Sequence, residues 1–422
     1  MEVDYVELDP EIIRFSLQFL PEKAQNILRN ERVHIIYQDG RTFLHKTQKK
    51  YDMIILNLPE PTTAQINRFY TREFFLKARE HLTEQGVFSF RVPSAENYIS
   101  LELQNFLASL YHTLKEVFPV VEIVPGSTNI FLAASFPLSI EVEELNKKIE
   151  SLNLQNTYVS PQLLFSRLNP LRVELIKEKI STGKKTINQD FSPISYFYNS
   201  VLWSTHFKGM EREIFTFFSE LRSFWLLDVP LAIFVFLLLF LWLKRKKSSF
   251  SLVPLAVMGF TTIVAEIIVI ISFQTLYGYL YNRIAFLLTS FMMGLFLGSL
   301  RGKKRKKIDL PRLLFIQFGF ILLLFLFQVI IKIHPPEFFF FGFLLAIGFL
   351  GGDLFVVSNF LFLKEKKNYG LGYGVDLLGS FFGALIASSI LIPLVGFPHL
   401  LKYLLLLNSF CLIFLLGGLK KT

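Results

Sequence analysis

The sequence predicts a two-part protein: an α/β domain with a mostly parallel sheet, then an all-α membrane domain of about seven helices. Two observations predict this class. Strand and helix patterns alternate through the first part, and apolar runs of about 20 residues recur from residue 224 onward. A mean hydropathy of +0.44 with 48 phenylalanines is too high for an ordinary soluble protein. We place the domains at 1–137 (α/β), 138–223 (helical connector) and 224–422 (transmembrane).

The α/β domain opens on alternating elements. The strand patterns are VDYVEL, RVHIIY, YDMIILNL and GVFSFRV, and the helical patterns between them are EIIRFSLQFL and REFFLKAREHL. Near-continuous apolar strands predict a sheet covered on both faces. Asp9 is expected to cap the first helix, with Pro10 at its first position and Glu11 in its first turn. In the connector, IEVEELNKKIESL and NPLRVELIKEKIS predict two solvated helices, and FTFFSELRSFW predicts an interfacial anchor.

The membrane domain is predicted from hydropathy. The candidate spans are 224–243, 251–273, 283–300, 312–333, 338–363, 374–393 and 400–418. Basic clusters follow the first, third, fifth and seventh spans, at residues 244–247, 301–307, 364–367 and 420–421. The positive-inside rule places these clusters in the cytoplasm, so seven spans put residues 1–225 outside. If residues 224–243 lie along the interface instead, the α/β domain faces the cytoplasm.

Three acids are predicted at membrane depth: Glu266, Asp353 and Asp376. They indicate either a substrate or proton route or hydrogen-bonded structural groups, and the structural interpretation is favoured. Small-residue pairs, Gly294 with Gly298 and Gly379 with Gly383, predict close helix packing.

The net charge of +10 does not indicate a nucleic-acid partner. Residues 226–422 hold 19 Lys/Arg and 7 Asp/Glu, so the first part carries two more acidic than basic residues. The basic excess therefore lies between apolar helices, where it sets orientation. The single Cys411 excludes an intrachain disulfide, and no cluster of residues indicates a metal site.

Polar residues follow the predicted strands where each ends. Glu7 ends the first strand, Asp39 and Gly40 follow the second, and Asn57 and Glu60 follow the third. Open parallel sheets bind ligands beyond the carboxyl ends of their strands. A strand-end acid can accept two hydrogen bonds from a ribose diol, and an Asp-Gly turn lets backbone approach a planar base. The same acids could instead cap helices.

Several segments in order resemble the spermidine synthase family. They are VELDPEII, YQDGRTFL, YDMIILNLPEP, FYTREFF, LTEQGVF and VPGSTNIFLAAS, spanning about residues 3–135. The resemblance implies a Rossmann-like, class I methyltransferase-like fold. It also implies aminopropyl transfer from decarboxylated S-adenosylmethionine, a co-substrate and not a tightly bound cofactor, to a diamine such as putrescine.

The resemblance implies roles for single residues. Glu7 matches the ribose-binding glutamate, Asp39 the aspartate that contacts the adenine amino group beside Gly40, and Glu60 an acid that holds the diamine. Tyr70 matches a common tyrosine and is expected to bind substrate or to pack. Asn57 stands where the family has its catalytic aspartate, and an amide cannot accept a proton near neutral pH.

A second departure concerns the glycine-rich loop after the family's first strand, which would precede the strand that opens this chain. The resemblance therefore implies a truncated chain, one half of a split protein with a partner half, or a fold that no longer binds nucleoside. DFSPISYFYNSVLW, FQTLYGYLYNRIAFLLTSFMMGLFLGS and YGVDLLGSFFGALIASSILIPLVG resemble bacterial membrane-fused spermidine synthase-like proteins. This resemblance implies a protein of the bacterial inner membrane whose partners are the lipid bilayer and a polyamine or other small molecule. The interpretation also allows an oligomer. In that group the segment that carries the family's catalytic aspartate recurs in the form Asn-Leu-Pro, which makes Asn57 an expected trait of the group. The alternative is a non-catalytic transporter-like or scaffold protein whose domain binds a polyamine or a partner.

Overall fold

The structure is a computed structural model that describes residues 2–96, 98–153, 159–206, 209–221, 224–244, 248–278, 281–304, 309–365, 368 and 370–419. The chain forms two compact units, Met1–Asp190 with Tyr277–Tyr279 and Phe191–Leu276 with Leu280–Thr422. The connector expected at 138–223 is thus divided between the two units. Of the basic clusters that set the predicted orientation, residues 245–247, 305–307, 366–367 and 420–421 lie outside the described residues.

The first unit alternates strands with helices as the sequence predicts. Its strands are β1 Val3–Glu7, β2 Val33–Tyr37, β3 Tyr51–Leu56, β4 Leu82–Pro93, β5 Val120–Val124 and β6 Thr128–Ala134. Its helices are α1 Pro10–Phe19, α2 Glu22–Leu28, α3 Gly40–Lys46, α4 Ala64–Asn67, α5 Arg72–Glu80, α6 Leu101–Lys115, α7 Val142–Ser151, α8 Pro161–Arg167 and α9 Pro170–Thr182. The predicted cap of α1 is confirmed, because Asp9 accepts from the Glu11 amide at 2.9 Å and Pro10 opens the helix.

The strands of the first unit form two hydrogen-bonded ladders among the described residues. One pairs β1 with β2, and the other has the order β3-β4-β6-β5. The β1–β2 and β3–β4 pairs are parallel, whereas β6 is antiparallel to both of its neighbours. The four-stranded sheet is therefore mixed, which corrects the expected mostly parallel sheet. Coverage on both faces is also wrong for β3, where Met53 and Ile55 are 51% and 63% exposed.

The core of the first unit is built from aromatic side chains of β4 and the elements beside it. Phe90 stacks on Phe131 with ring centroids 5.0 Å apart and on Phe75 of α5 at 5.9 Å. Phe88 stacks on Phe118 at 6.0 Å. All five rings are at most 1% exposed. Each buried ring stabilises the fold by about 1.5–3 kcal/mol through burial, with stacking adding about 0.5–1.5 kcal/mol.

The second unit is helical among its described residues. Its helices are α10 Ile194–Ser204, α11 Glu211–Glu220, α12 Val229–Leu243, α13 Ser249–Tyr277, α14 Tyr281–Lys304, α15 Leu310–Ile330, α16 Glu337–Glu365, α17 Leu371–Ile386, α18 Ile392–Val395 and α19 Phe397–Leu419. Wider π-helical turns at Phe224–Asp228 and Ala387–Leu391 join α12 and α17–α18 to their neighbours. Seven described helical segments are long and apolar enough to cross a membrane, and each overlaps one predicted span.

Helices α14 and α16 approach through glycines. A Cβ on Gly294 or Gly298 would collide with the backbone carbonyls of Leu345 or Phe349, and one on Gly348 with the Phe291 carbonyl. On α17, Gly379 and Gly383 similarly face the backbone of α13. The predicted small-residue contacts are confirmed, and the reciprocal glycines of α16 are an addition.

Candidate functional site

A pocket of about 380 Å³ lies at the carboxyl ends of β3 and β4 in the first unit. Residues 57–60, residues 91–93 and Thr128 line it. In the parallel β3–β4 pair Leu56 is opposite Phe90, so Asn57 and Arg91 come next to one another as the two strands end. This is the edge at which α/β sheets bind ligands. Asn57 is exposed and Glu60 is half-buried.

Tyr70 fixes the segment that forms one wall of this pocket. Its hydroxyl donates to the Pro59 carbonyl at 2.8 Å and lies 3.3 Å from the Leu58 carbonyl. Its ring meets Phe90 edge-on at 5.4 Å and is 0% exposed. Burial, with the nearby Glu60 charge, raises the pKa of Tyr70 far above its ordinary value. In this structure Tyr70 therefore positions the pocket wall, in agreement with the packing alternative, and a direct contact with substrate stays a prediction.

Asp39 has two partners of its own at the end of β2. One carboxylate oxygen accepts from the Thr42 amide at 3.0 Å and so caps α3. The carboxylate also forms an ion pair with Arg68, and the two side chains are 6% and 3% exposed. Burial lowers the pKa of Arg68, although the Asp39 charge acts in the opposite direction. In this structure the carboxylate expected to contact adenine is therefore engaged by protein groups.

Glu7 and Gly40, the other predicted nucleoside-binding residues, lie on the same side. β1 and β2 run in register with Glu7 opposite Tyr37, so Glu7 and Asp39 both follow the carboxyl ends of their strands. One Glu7 carboxylate oxygen accepts from the Leu8 and Asp9 amides at 2.8 and 3.2 Å. Gly40 is the first residue of α3, and a Cβ there would come 3.6 Å from Phe69, an ordinary contact. Gly40 is therefore not required by packing.

A buried polar network supports the turn that carries Arg68 and Tyr70. Asp190 forms an ion pair with Arg41, accepts from the Thr71 hydroxyl at 2.7 Å, and its amide donates to Glu73 at 3.0 Å. Burial, with the Asp190 charge, raises the pKa of Glu73. Asn188 donates to the Tyr70 carbonyl at 2.9 Å.

The amides of Asn188 and Asn67 are also bonded to each other, at 3.0 and 3.2 Å. Residues 188–190 thus lock the turn from a distant part of the chain. None of these contacts was predicted. The only signal was the aspartate that opens the DFSP motif.

The described residues that line the pocket all lie in the part of the chain that matches known proteins. Residues 1–138 match the family described as "Spermine/spermidine synthase domain". The chain is 34% identical over 201 residues to a polyamine aminopropyltransferase of Saccharolobus islandicus, an alignment covering 43% of this chain and 63% of that protein. It is 29% identical over 160 residues to polyamine aminopropyltransferase 2 of Aquifex aeolicus, covering 36% and 31%. Residues 1–138 are a spermidine synthase-like domain.

The alignments of this spermidine synthase-like domain are partial. The chain spans between about a third and two thirds of the length of these two relatives. Among solved structures, spermidine synthase from Thermotoga maritima is similar, with 19% identity, a TM-score of 0.34, and coverage of 42% of this chain and 60% of that one.

Arg91 is a charged residue of the pocket that sequence reasoning missed. It lies near the end of β4, is exposed, and lines the pocket with Asn57 and Glu60. The strand-end argument that selected Glu7, Asp39 and Asn57 applies equally to FRVPS after the fourth strand pattern.

The predicted intramembrane acids have different surroundings. Asp353 is 1% exposed and forms an ion pair with Arg312, with Arg301 Nη1 at 3.8 Å, which supports the structural interpretation. Glu266 is 6% exposed, and no hydrogen bond to a described residue satisfies it. Asp376 is half-buried and lies where a Cβ on Gly259 would touch it. For these last two acids both interpretations stay open.

Proposed function

We propose that the protein is a membrane-anchored transferase that moves an aminopropyl group from decarboxylated S-adenosylmethionine to an amine, for which the family acceptor is a diamine such as putrescine. The observation that carries the proposal is the pocket at the ends of β3 and β4, formed by the segment from Asn57 to Glu60 within the matched domain. Family membership of residues 1–138 and two aminopropyltransferase relatives support it.

The reaction is a displacement at carbon. The lone pair of the acceptor nitrogen attacks the methylene bound to the sulfonium, the C–S bond breaks, and methylthioadenosine leaves with the electron pair on sulfur. The acceptor amine is protonated at neutral pH and must lose one proton before its lone pair can attack, and the product nitrogen then carries the positive charge that leaves the sulfur. Glu60 is the only carboxylate among the described pocket residues, so it is the group that can accept that proton. The Asn57 amide oxygen can accept a hydrogen bond from the amine and orient it.

The donor would bind beside Glu7 and Asp39. For the ribose, the Glu7 carboxylate would turn from the Leu8 and Asp9 amides toward the ligand. For the adenine amino group, Asp39 would share its carboxylate with Arg68 or release it. Donor binding therefore includes a local rearrangement around Asp39.

A second candidate function is a non-catalytic membrane protein, transporter-like or a scaffold, whose domain binds a polyamine or a partner. Two observations favour it: the amide at the general-base position, Asn57, and the ion pair that engages Asp39. The buried acid Glu266 in the helical unit suits a transporter-like role.

Sidedness separates the two functions. The donor is a cytoplasmic metabolite, so a transferase anchored in a bacterial inner membrane needs its α/β domain on the cytoplasmic side. Seven spans with basic clusters inside put the domain outside. Whether Phe224–Leu243 crosses the membrane decides the side of the domain. This segment is the shortest of the seven candidate spans, and only 11% of its apolar window is buried.

The test uses the full chain in lipid nanodiscs. Methylthioadenosine release is measured with decarboxylated S-adenosylmethionine and an amine, and methylthioadenosine binding is measured by calorimetry. Glu7→Ala and Asp39→Ala should weaken binding at least tenfold. The control Glu11→Ala, an exposed acid paired with Arg14 on α1, should not. If the unaltered chain neither releases nor binds methylthioadenosine, the non-catalytic function is the better account.

A further inference from the structure

The pocket carries one charge of each sign. Among its described lining residues, Glu60 is the acidic, negatively charged one and Arg91 the basic, positively charged one, while Asn57 and Thr128 are polar and neutral. A diamine carries two positive charges at neutral pH and would bring one of them toward a guanidinium. Like charges close together in a site repel, whereas an amine and an anionic group on one molecule would satisfy both residues.

Arg91 has a side chain that is available to a ligand. It is exposed, and no described residue forms an ion pair or a hydrogen bond with its guanidinium. The nearest acid in sequence, Glu96, is engaged elsewhere: it is 3.4 Å from Arg172 and accepts from the Ser127 amide at 3.2 Å. A planar guanidinium with open donors suits a carboxylate, which it can bind with two parallel hydrogen bonds.

The backbone at Glu60 is fixed by hydrogen bonds. The Tyr70 hydroxyl fixes the two carbonyls that precede it, and the Glu60 carbonyl accepts from the Thr62 amide at 2.7 Å. Its carboxylate has no hydrogen-bond donor among the described residues, so it too is open to the pocket. Rigid backbone under an open carboxylate gives an amine a defined position relative to Arg91.

We propose that the acceptor is a small zwitterion, with its amine at Glu60 and a carboxylate at Arg91, and not a diamine. The inference rests on the proposed transferase function. The reacting amine forms the C–N bond as the donor C–S bond breaks, its surplus proton passes to Glu60, and the carboxylate at Arg91 is unchanged. The pocket of about 380 Å³ is at the small end of the range for ligand sites, which run to about 1,000 Å³, and this suits a small acceptor.

The test compares three amines with the same four-carbon length that differ only at the far end. 4-Aminobutyrate ends in a carboxylate, putrescine in an ammonium and n-butylamine in a methyl group. For each, methylthioadenosine release and equilibrium binding are measured with the full chain in nanodiscs. We expect kcat/KM and affinity for 4-aminobutyrate to exceed those for putrescine at least tenfold.

Variants at Arg91 assign the preference to this side chain. Arg91→Gln should bring the three amines within about threefold of one another, since it removes the charge and keeps a polar group. Arg91→Glu should reverse the preference toward putrescine. Arg14→Gln, an exposed arginine of α1 outside the pocket, is the matched control and should leave the order unchanged.

The outcomes separate this inference from the function on which it rests. Turnover that favours putrescine, or a preference that Arg91→Glu does not alter, overturns the proposal of a zwitterionic acceptor and keeps the proposal of a transferase. Arg91-dependent binding of 4-aminobutyrate without any release of methylthioadenosine overturns the transferase and keeps the ligand class. Binding of none of the three amines overturns the inference.

Discussion

Asp39 and Arg68 form an ion pair whose side chains are 6% and 3% exposed, at the place where the domain is expected to meet the donor nucleoside. A buried charge without its partner is costly, so Arg68→Met should lower the free energy of unfolding by about 3–5 kcal/mol. Adding Asp39→Asn should recover most of that loss, because the amide oxygen can still cap α3. Pulse proteolysis of the full chain in detergent measures both. Equal stability of the single and double variants would contradict the pairing.

Tyr70→Phe removes a hydroxyl that holds the pocket wall and keeps the ring on Phe90. We expect a loss of about 1 kcal/mol in stability, since one neutral hydrogen bond is lost. Hydrogen exchange at Leu58 and Glu60 should rise in the variant. Tyr98→Phe, at a tyrosine that is 77% exposed, is the control and should change neither. Unchanged exchange in Tyr70→Phe would show that the wall is held by other contacts.

Glu73 gives stability a dependence on pH that can be removed. Its folded pKa is raised by burial above the ordinary value of 4.5, so its contribution is fully present below about pH 4.5 and is lost as pH rises through the folded pKa. Glu73→Gln keeps an oxygen for the Asp190 amide and cannot ionise. Relative to the unaltered chain, this variant should become more stable between pH 4.5 and 7.5, measured by proteolysis midpoints. A constant difference across that range would refute the raised pKa.

Asp353 neutralises arginine in the helical unit. Asp353→Asn would leave Arg312, whose side chain is 9% exposed, without a full counter-charge, at an expected cost of about 3–5 kcal/mol. Asp353→Leu with Arg312→Met should restore much of the folded yield in detergent. The comparison is made by thermal aggregation of the purified chain. If the double variant is as poor as the single one, the charges have a role besides mutual neutralisation.

The side of the α/β domain is open to direct measurement. Ser151→Cys in a Cys411→Ser background places one thiol in α7 for an impermeant reagent on intact cells. The transferase predicts protection until lysis. Labelling before lysis would agree with seven spans and basic clusters inside, and would favour the binding role.

Local patterns were sufficient to predict most elements of this chain. The cap at Asp9, the first four strands and the seven apolar helices of the described residues follow from periodicity and hydropathy over windows of fewer than 30 residues, whereas β5 was not predicted. The mixed pairing of the sheet does not, because β6 returns antiparallel beside β4 only through contacts distant in sequence.

The sequence was sufficient to predict where the site lies, but not which side chains its residues contact. Strand ends located Asn57 and Glu60 at the pocket, since carboxyl ends of neighbouring strands share an edge. The partner of Asp39 is 29 residues away and that of Arg41 is 149 residues away. No local pattern in one sequence relates such residues, so the engagement of Asp39 and the network at Asp190 required the structure.

The glycine contacts between α14 and α16 limit how the helical unit can move. At Gly294, Gly298, Gly348 and Gly352 the atom nearest to an added Cβ would be a backbone carbonyl oxygen of the facing helix. We therefore expect α14 and α16 to move as one rigid body, without a path for a solute between them. A mutational scan should find these four positions intolerant of even a methyl group.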